Sequence, residues 1–199
     1  MSLGRASRVS RAPIGGLMSV GIFWGGFSAL VPDIKHIVGA SDQQFGLALI
    51  LSALGSISAT YLVPAIGARL GRATLPIVGV LLAMAFFYPL FATSVTALAV
   101  ALYFMGASVA MLDISSNVRL SALESRHGLH LMNLSHAMFS FAFGGAAFVA
   151  GLARKAGYGP AEILPVFSGV ALLLVVMMRE SADIYGTAKL DAEDAPAGT

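Results

Sequence analysis

Cysteine is absent from this 199-residue chain, and charged residues are scarce. Without thiols the sequence has no disulfide framework, no thiolate metal site and no redox motif. Asp, Glu, Lys and Arg make up 11% of the residues, against roughly 25% in soluble domains. No basic stretch is interleaved with aromatic residues, as nucleic-acid binding would favour. The scarcity of charged residues excludes a soluble domain, and the 57% hydrophobic content indicates a membrane protein.

Several apolar stretches are longer than the roughly 18 residues that cross the hydrocarbon of a bilayer. Backbone groups in lipid need internal hydrogen-bond partners, and these stretches do not alternate as barrel strands do, so the sequence predicts helices. We predict an all-α membrane protein with six transmembrane helices at about residues 14–31, 45–66, 75–92, 95–118, 131–153 and 163–178. The first stretch is too long for a signal peptide, although an acid-free start also fits a transit peptide.

This division predicts three regions: a polar N-terminal segment, 1–13, one six-helix bundle, 14–178, and a polar tail, 179–199. The tail has too little apolar surface to pack, which indicates disorder. Nine of the 12 Lys and Arg residues fall in the two terminal segments and in the second-to-third and fourth-to-fifth loops. The positive-inside rule therefore predicts that both termini are cytoplasmic. We expect the membrane to be a bacterial inner (plasma) membrane.

Small residues recur at four-residue spacing within the predicted helices, as at Gly21 with Gly25 and Gly55 with Ala59. Such spacing favours close contact between membrane helices.

Asp113 is the only carboxylate inside a membrane-length apolar stretch. Gly106, Ala110, Asp113 and Asn117 share one face of a helix by their spacing, and Asn133, His136, Ser140 and Gly144 share a face of the next. If the turn between these helices begins near residue 119 and ends near residue 130, Asp113 and His136 lie at matched depth. Ionisable groups in membrane helices usually face a bundle interior and serve a function. The alternatives are that Asp113 leans toward headgroup water and that His136 is a neutral packing residue.

The turn after the second predicted helix reads GARLGR, residues 67–72. It resembles the cytoplasmic loop signature of the major facilitator superfamily, with Arg69, Gly71 and Arg72 matching its core. Ala68 stands where the family has an acidic residue. The resemblance implies a transporter whose halves each hold six helices in 3+3 inverted repeats.

A second likeness is to the fucose-proton symporter-like branch of that superfamily. It is carried by LDISSN at 112–117, by Glu124 and Gly128, and by NLSHAMFSF at 133–141. By this resemblance Asp113 would serve proton coupling and sugar contact, and His136 would line the same cavity. As an imidazole, His136 could share the proton or bond a sugar hydroxyl. Asn117, Asn133 and Ser140 would line the same cavity. The branch's sugar symporters have an acid in the first helix, where this chain has Trp24, which could stack on a sugar ring or simply pack.

The resemblance implies the N-terminal half of a secondary transporter for a small sugar-like or related polar solute, with the proton as a candidate coupling ion and no cofactor or metal. Because alternating access needs two bodies, the partner is a second six-helix half. This half would be the rest of a longer gene, a separate chain or a second copy, and we favour the first two. The alternatives to transport are a non-transporting remnant or assembly partner, and an intramembrane serine protease using Ser108 and His136, which the spacing of these residues disfavours.

Overall fold

The computed structural model describes residues 3–180, and it is helical throughout, with no strand in that range. Seven α-helices follow one another: α1 (Leu3–Val9), α2 (Arg11–Val38), α3 (Asp42–Leu70), α4 (Thr74–Ala85), α5 (Val95–His127), α6 (Met132–Lys155) and α7 (Pro160–Met177). Short 3-10 helices at Gly71–Ala73 and Tyr88–Phe91 precede and follow α4. Of the tail predicted to be disordered, residues 181–199 lie outside the described range.

Five stretches of the described chain are long and apolar enough to cross a membrane: Arg11–Val38, Asp42–Phe91, Val95–His127, Met132–Lys155 and Pro160–Met177. The second of these has 50 residues and contains α3, α4 and both 3-10 helices. The predicted span 75–92 therefore does not stand alone as a membrane-length helix. Its α-helical part, α4, has 12 residues, and the chain then tightens into a 3-10 turn at Pro89, which has no backbone N–H for an α-helical hydrogen bond.

Two helix pairs, α3 with α5 and α2 with α6, make the most extensive contacts in the bundle. Glycines allow both pairs to approach closely. A Cβ on Gly25 would lie 2.1 Å from the carbonyl oxygen of Phe143, and one on Gly55 would lie 2.0 Å from that of Tyr103. Because lipid provides no hydrophobic drive for association, such small residues are what let membrane helices pack. The prediction from small-residue spacing is confirmed at Gly25 and Gly55.

The other major contacts are α2 with α5 and α7, α4 with α5, and α4 with α7. If α2, α3 and α4 are exchanged for α5, α6 and α7, this set of major contacts maps onto itself. The smaller contact between α2 and α4 has no counterpart of similar extent between α5 and α7.

Polar contacts identify which loops share an end of the bundle. At one end, Arg119 Nε donates to Glu180 Oε1 at 2.9 Å and Arg119 Nη2 donates to the Gly71 carbonyl at 3.0 Å. At the other end, Arg154 Nη2 donates to Asp33 Oδ1 at 3.2 Å in a two-bond ion pair. The α3–α4 turn and the chain after α7 are therefore at one end, and the carboxyl ends of α2 and α6 are at the other.

We predict that Gly25→Ala destabilises the protein by about 1–3 kcal/mol, because the new Cβ forces the α2 and α6 backbones apart. Thermal unfolding of the purified protein in detergent measures the change. The matched control is Gly144→Ala, where a Cβ meets nothing within 4 Å and the better helix propensity of alanine predicts equal or higher stability. Equal effects of the two substitutions would contradict the close-packing account.

Candidate functional site

A cavity of about 460 Å³ opens on the bundle between α2, α3, α5 and α6. Its walls are largely apolar, and they carry one carboxylate, two hydroxyls and two aromatic rings. The lining residues are Val20, Trp24, Ser56, Ile57, Thr60, Val109, Ala110, Asp113, Ile114 and Phe139. A mostly apolar concave site with a few convergent polar groups is the usual form of a small-molecule site.

Asp113 reaches this cavity from the middle of α5 and is partly buried. One turn earlier on the same face, Ala110 leaves space beside the carboxylate. One turn later, the Asn117 side chain donates from Nδ2 to the backbone carbonyl of Asp113 at 2.9 Å, and it also lies beside the carboxylate. Ala110 and Asn117, which share a helix face with Asp113, thus place a small and a polar group beside its carboxylate.

His136 is exposed on α6 and lies close enough to Asp113 for the two to interact electrostatically. It is not part of the cavity wall. The turn between α5 and α6 is shorter than predicted, because α5 continues to His127 and ends at Gly128, whose φ is +60°. Glu124 supports this turn by accepting a hydrogen bond from the Met132 N–H at 2.8 Å. The predicted start of the turn near residue 119 is therefore wrong.

Two other predicted residues on α6, Asn133 and Ser140, are exposed and lie outside the cavity wall. The Ser140 hydroxyl donates to the His136 carbonyl at 3.0 Å. Among the predicted binding residues, the structure brings Trp24 and Asp113 to one cavity and Asn117 and His136 beside it. It does not bring Asn133 and Ser140 there.

Trp24 is fixed on the cavity wall by its aromatic neighbours on α2. Its ring makes edge contacts with Phe23, with centroids 5.9 Å apart, and with Phe27, with centroids 6.4 Å apart. Phe139 on α6 is the second aromatic residue that lines the same cavity. The ring is thus held in one orientation while part of it remains accessible to a solute.

Three wall residues, Ser56, Thr60 and Phe139, were not among the predicted site residues. Ser56 and Thr60 are four apart on α3, so their shared face was readable from the sequence. Hydroxyl residues are common in apolar helices, however, so their spacing alone does not indicate a site. The contact between α3 and α5 determines that this face borders the cavity. Ser56 Oγ donates to the carbonyls of Ser52 and Gly106 at 3.1 and 3.2 Å.

The GARLGR motif, residues 67–72, lies at the same end of the bundle as Arg119. Gly71 has φ +51°, a conformation that side-chain-bearing residues rarely adopt, and its carbonyl accepts a hydrogen bond from Arg119. Arg69 and Arg72 are exposed. The Arg119–Glu180 ion pair, whose side chains are 12% and 3% exposed, brings an acid to this end of the bundle, and no sequence pattern indicated it.

The structure does not assemble the protease site considered from the sequence. The Ser108 hydroxyl is buried and donates to the Phe104 carbonyl at 2.8 Å, within its own helix. Residues 3–180 also contain no group of three or more side chains able to hold a metal ion. The chemistry that the cavity offers is the binding of a solute and of a proton or other cation at one carboxylate.

No family model matches the chain. The chain is similar to an uncharacterized MFS-type transporter of Yersinia pestis, with which it is 24% identical over 165 residues. The similarity covers 82% of this chain and 42% of the relative, so the chain spans less than half of the relative's length.

The apolar helices indicate an integral membrane protein, and the likeness is to a transporter of the major facilitator type. The relative, being uncharacterized, identifies no solute.

Proposed function

We propose that this chain is one six-helix half of a major facilitator transporter, resembling the fucose-proton symporter-like branch. In this proposal it moves a small polar solute, sugar-like or a related metabolite, across the inner membrane with the proton as coupling ion. The observation that carries the proposal is the placement of Asp113 on the wall of a cavity bounded by four helices. A carboxylate placed there, and not toward lipid, is what a solute path requires.

The helix packing supports a 3+3 organisation. The major contacts remain the same when the segment α2–α4 is exchanged for α5–α7. Major facilitator halves are built from inverted three-helix repeats with the substrate site at the interface between two halves. In our proposal α4 serves as the third membrane pass, with the 3-10 turn completing its length.

The second half covers the open side of the cavity. The α3 and α6 helices that border this side carry many exposed large apolar side chains, including Ile57 at 53% and Phe141 at 77%. Lipid covers the part of this surface that lies away from the cavity. The second half is the rest of a longer protein or a separate chain, and rocking of the two halves would expose the cavity to each side in turn.

In the proposed mechanism Asp113 binds the proton from one side and releases it on the other when the cavity changes face. His136, in electrostatic range on the neighbouring helix, shares or relays that proton. Trp24 and Phe139 bind the apolar part of the solute, and the polar wall residues orient it. The alternative, a membrane remnant or assembly partner without transport of its own, has the same fold and differs only in activity.

We predict that Asp113→Asn lowers pH-gradient-driven solute uptake at least about tenfold, a loss of about 1.4 kcal/mol, because the amide cannot carry the proton. Uptake of a panel of labelled sugars and amines into membrane vesicles that contain the chain and its second half measures this. The matched control is Asp42→Asn, whose side chain is 96% exposed and whose uptake should be unchanged. Undiminished coupled uptake by Asp113→Asn would remove the proton role, and no uptake by the unaltered protein would favour the alternative.

We also predict the sidedness of the helix ends. Ser125 belongs to the end near Arg119 and Ala156 to the end near Arg154, and both residues are exposed. In intact cells, a membrane-impermeant maleimide should label Ala156→Cys at once but label Ser125→Cys only after the cells are opened. The unaltered chain, which has no cysteine, is the control. The reverse pattern would overturn the cytoplasmic placement of the termini.

A further inference from the structure

The hydroxyls on the cavity wall face the solute as hydrogen-bond acceptors. Each hydroxyl has one proton to donate. The proton of Ser56 is directed at the carbonyls of Ser52 and Gly106, and Thr60 Oγ1 donates to the Ser56 carbonyl at 3.1 Å. Only the oxygen lone pairs of these two side chains remain for a bound molecule.

Asp113 is the one ionisable side chain among the residues that line the cavity. An ionised carboxylate is also an acceptor and has no proton to donate. No Lys or Arg side chain shares this wall, so nothing on it attracts an anion. Because the carboxylate is partly buried, its charge is screened less than that of a surface acid.

The remaining features of the wall are aromatic. Trp24 and Phe139 both line the cavity, and the edge contacts with Phe23 and Phe27 hold the Trp24 ring in place. Aromatic faces attract ammonium groups through the ring quadrupole. The indole N–H of Trp24 is the one side-chain donor left on this wall, which is too few for the many oxygens of a polyol.

We propose that the solute bound on this wall is an organic cation, an amine or quaternary ammonium compound. Its nitrogen lies beside the Asp113 carboxylate and its carbon substituents lie against Trp24 and Phe139. The inference rests on the proposed function and narrows the solute from sugar-like or related polar metabolites to those that carry an amine. An ammonium group can interact with the carboxylate, the hydroxyl oxygens and the aromatic rings of this wall. An anion or a neutral polyol leaves the carboxylate charge without a cationic partner.

The test compares cations with neutral molecules of the same shape. Isothermal titration of the purified full chain in detergent at about pH 8, where an ordinary imidazole is neutral, measures binding of two matched pairs. Choline is paired with 3,3-dimethylbutan-1-ol, and 2-phenylethylamine is paired with 2-phenylethanol. Fucose is the neutral sugar probe. The same titrations are made with Asp113→Asn, with Asp113→Glu as the charge-preserving variant, and with Asp42→Asn as the exposed control.

We expect at least one cation to bind about tenfold or more tightly than its neutral partner. Asp113→Asn should abolish that preference, Asp113→Glu should retain most of it, and Asp42→Asn should leave it unchanged. Equal affinity within both pairs, or a preference that survives in Asp113→Asn, overturns the inference. Binding of fucose that depends on Asp113, without binding of either cation, overturns the cation inference and leaves the proposed function standing. Absence of binding by both cations overturns the cation inference, while uptake by the chain together with its second half tests the proposed function separately.

Discussion

A carboxylate within hydrocarbon costs at least about 2.5 kcal/mol at the centre of a membrane helix, so its surroundings must be polar, hydrated or protein-lined. Asp113 meets this requirement by facing a cavity between helices, with the Asn117 amide beside it and Ala110 leaving space one turn away. The location of the cavity, the interpretation of His136 and the proposed solute chemistry all depend on this placement. Turned toward lipid, the same residue would be an unexplained cost in a bundle of apolar helices.

The walls around that carboxylate are fixed by backbone packing. Glycines bring α2 against α6 and α3 against α5 at distances that no larger residue allows. The Asp33–Arg154 ion pair joins α2 to α6 at one end, and Arg119 joins α5 to the α3–α4 turn and to Glu180 at the other. These contacts set the spacing of the four helices that border the cavity. In the proposed function, these contacts let the bundle move as one body against a second half.

Much of the helical architecture is readable from the sequence, because apolar length and small-residue spacing are local patterns. Gly25 and Gly55 could be identified as contact positions in this way, and Asp113 as an exception within its apolar stretch. The length of α5 could not be predicted in this way. Its charged final turns look like a loop in the sequence, but Arg119 is paired with Glu180, 61 positions away, and Glu124 accepts hydrogen bonds from the start of α6. The 3-10 turn at Pro89, which interrupts the third predicted span, could not be identified from apolar length alone.

The candidate site could be predicted only in part, for the same reason. Spacing within one helix identified Asp113 and its neighbours, but Ser56, Thr60 and Phe139 join the site through contacts between helices that are remote in sequence. Asn133 and Ser140 have suitable spacing but lie outside the cavity wall, to which α6 contributes Phe139.

The most direct measurement of the central claim is the reactivity of a single cysteine in place of the acid. A charged methanethiosulfonate reagent applied to native membranes should modify Asp113→Cys and should not modify Leu173→Cys, which lies on α7 with 72% of its surface exposed outside the bundle. This difference is expected because position 113 borders a path for polar solutes and position 173 does not. Equal protection of the two cysteines would contradict it, since position 113 would then be as inaccessible to water as a lipid-facing residue.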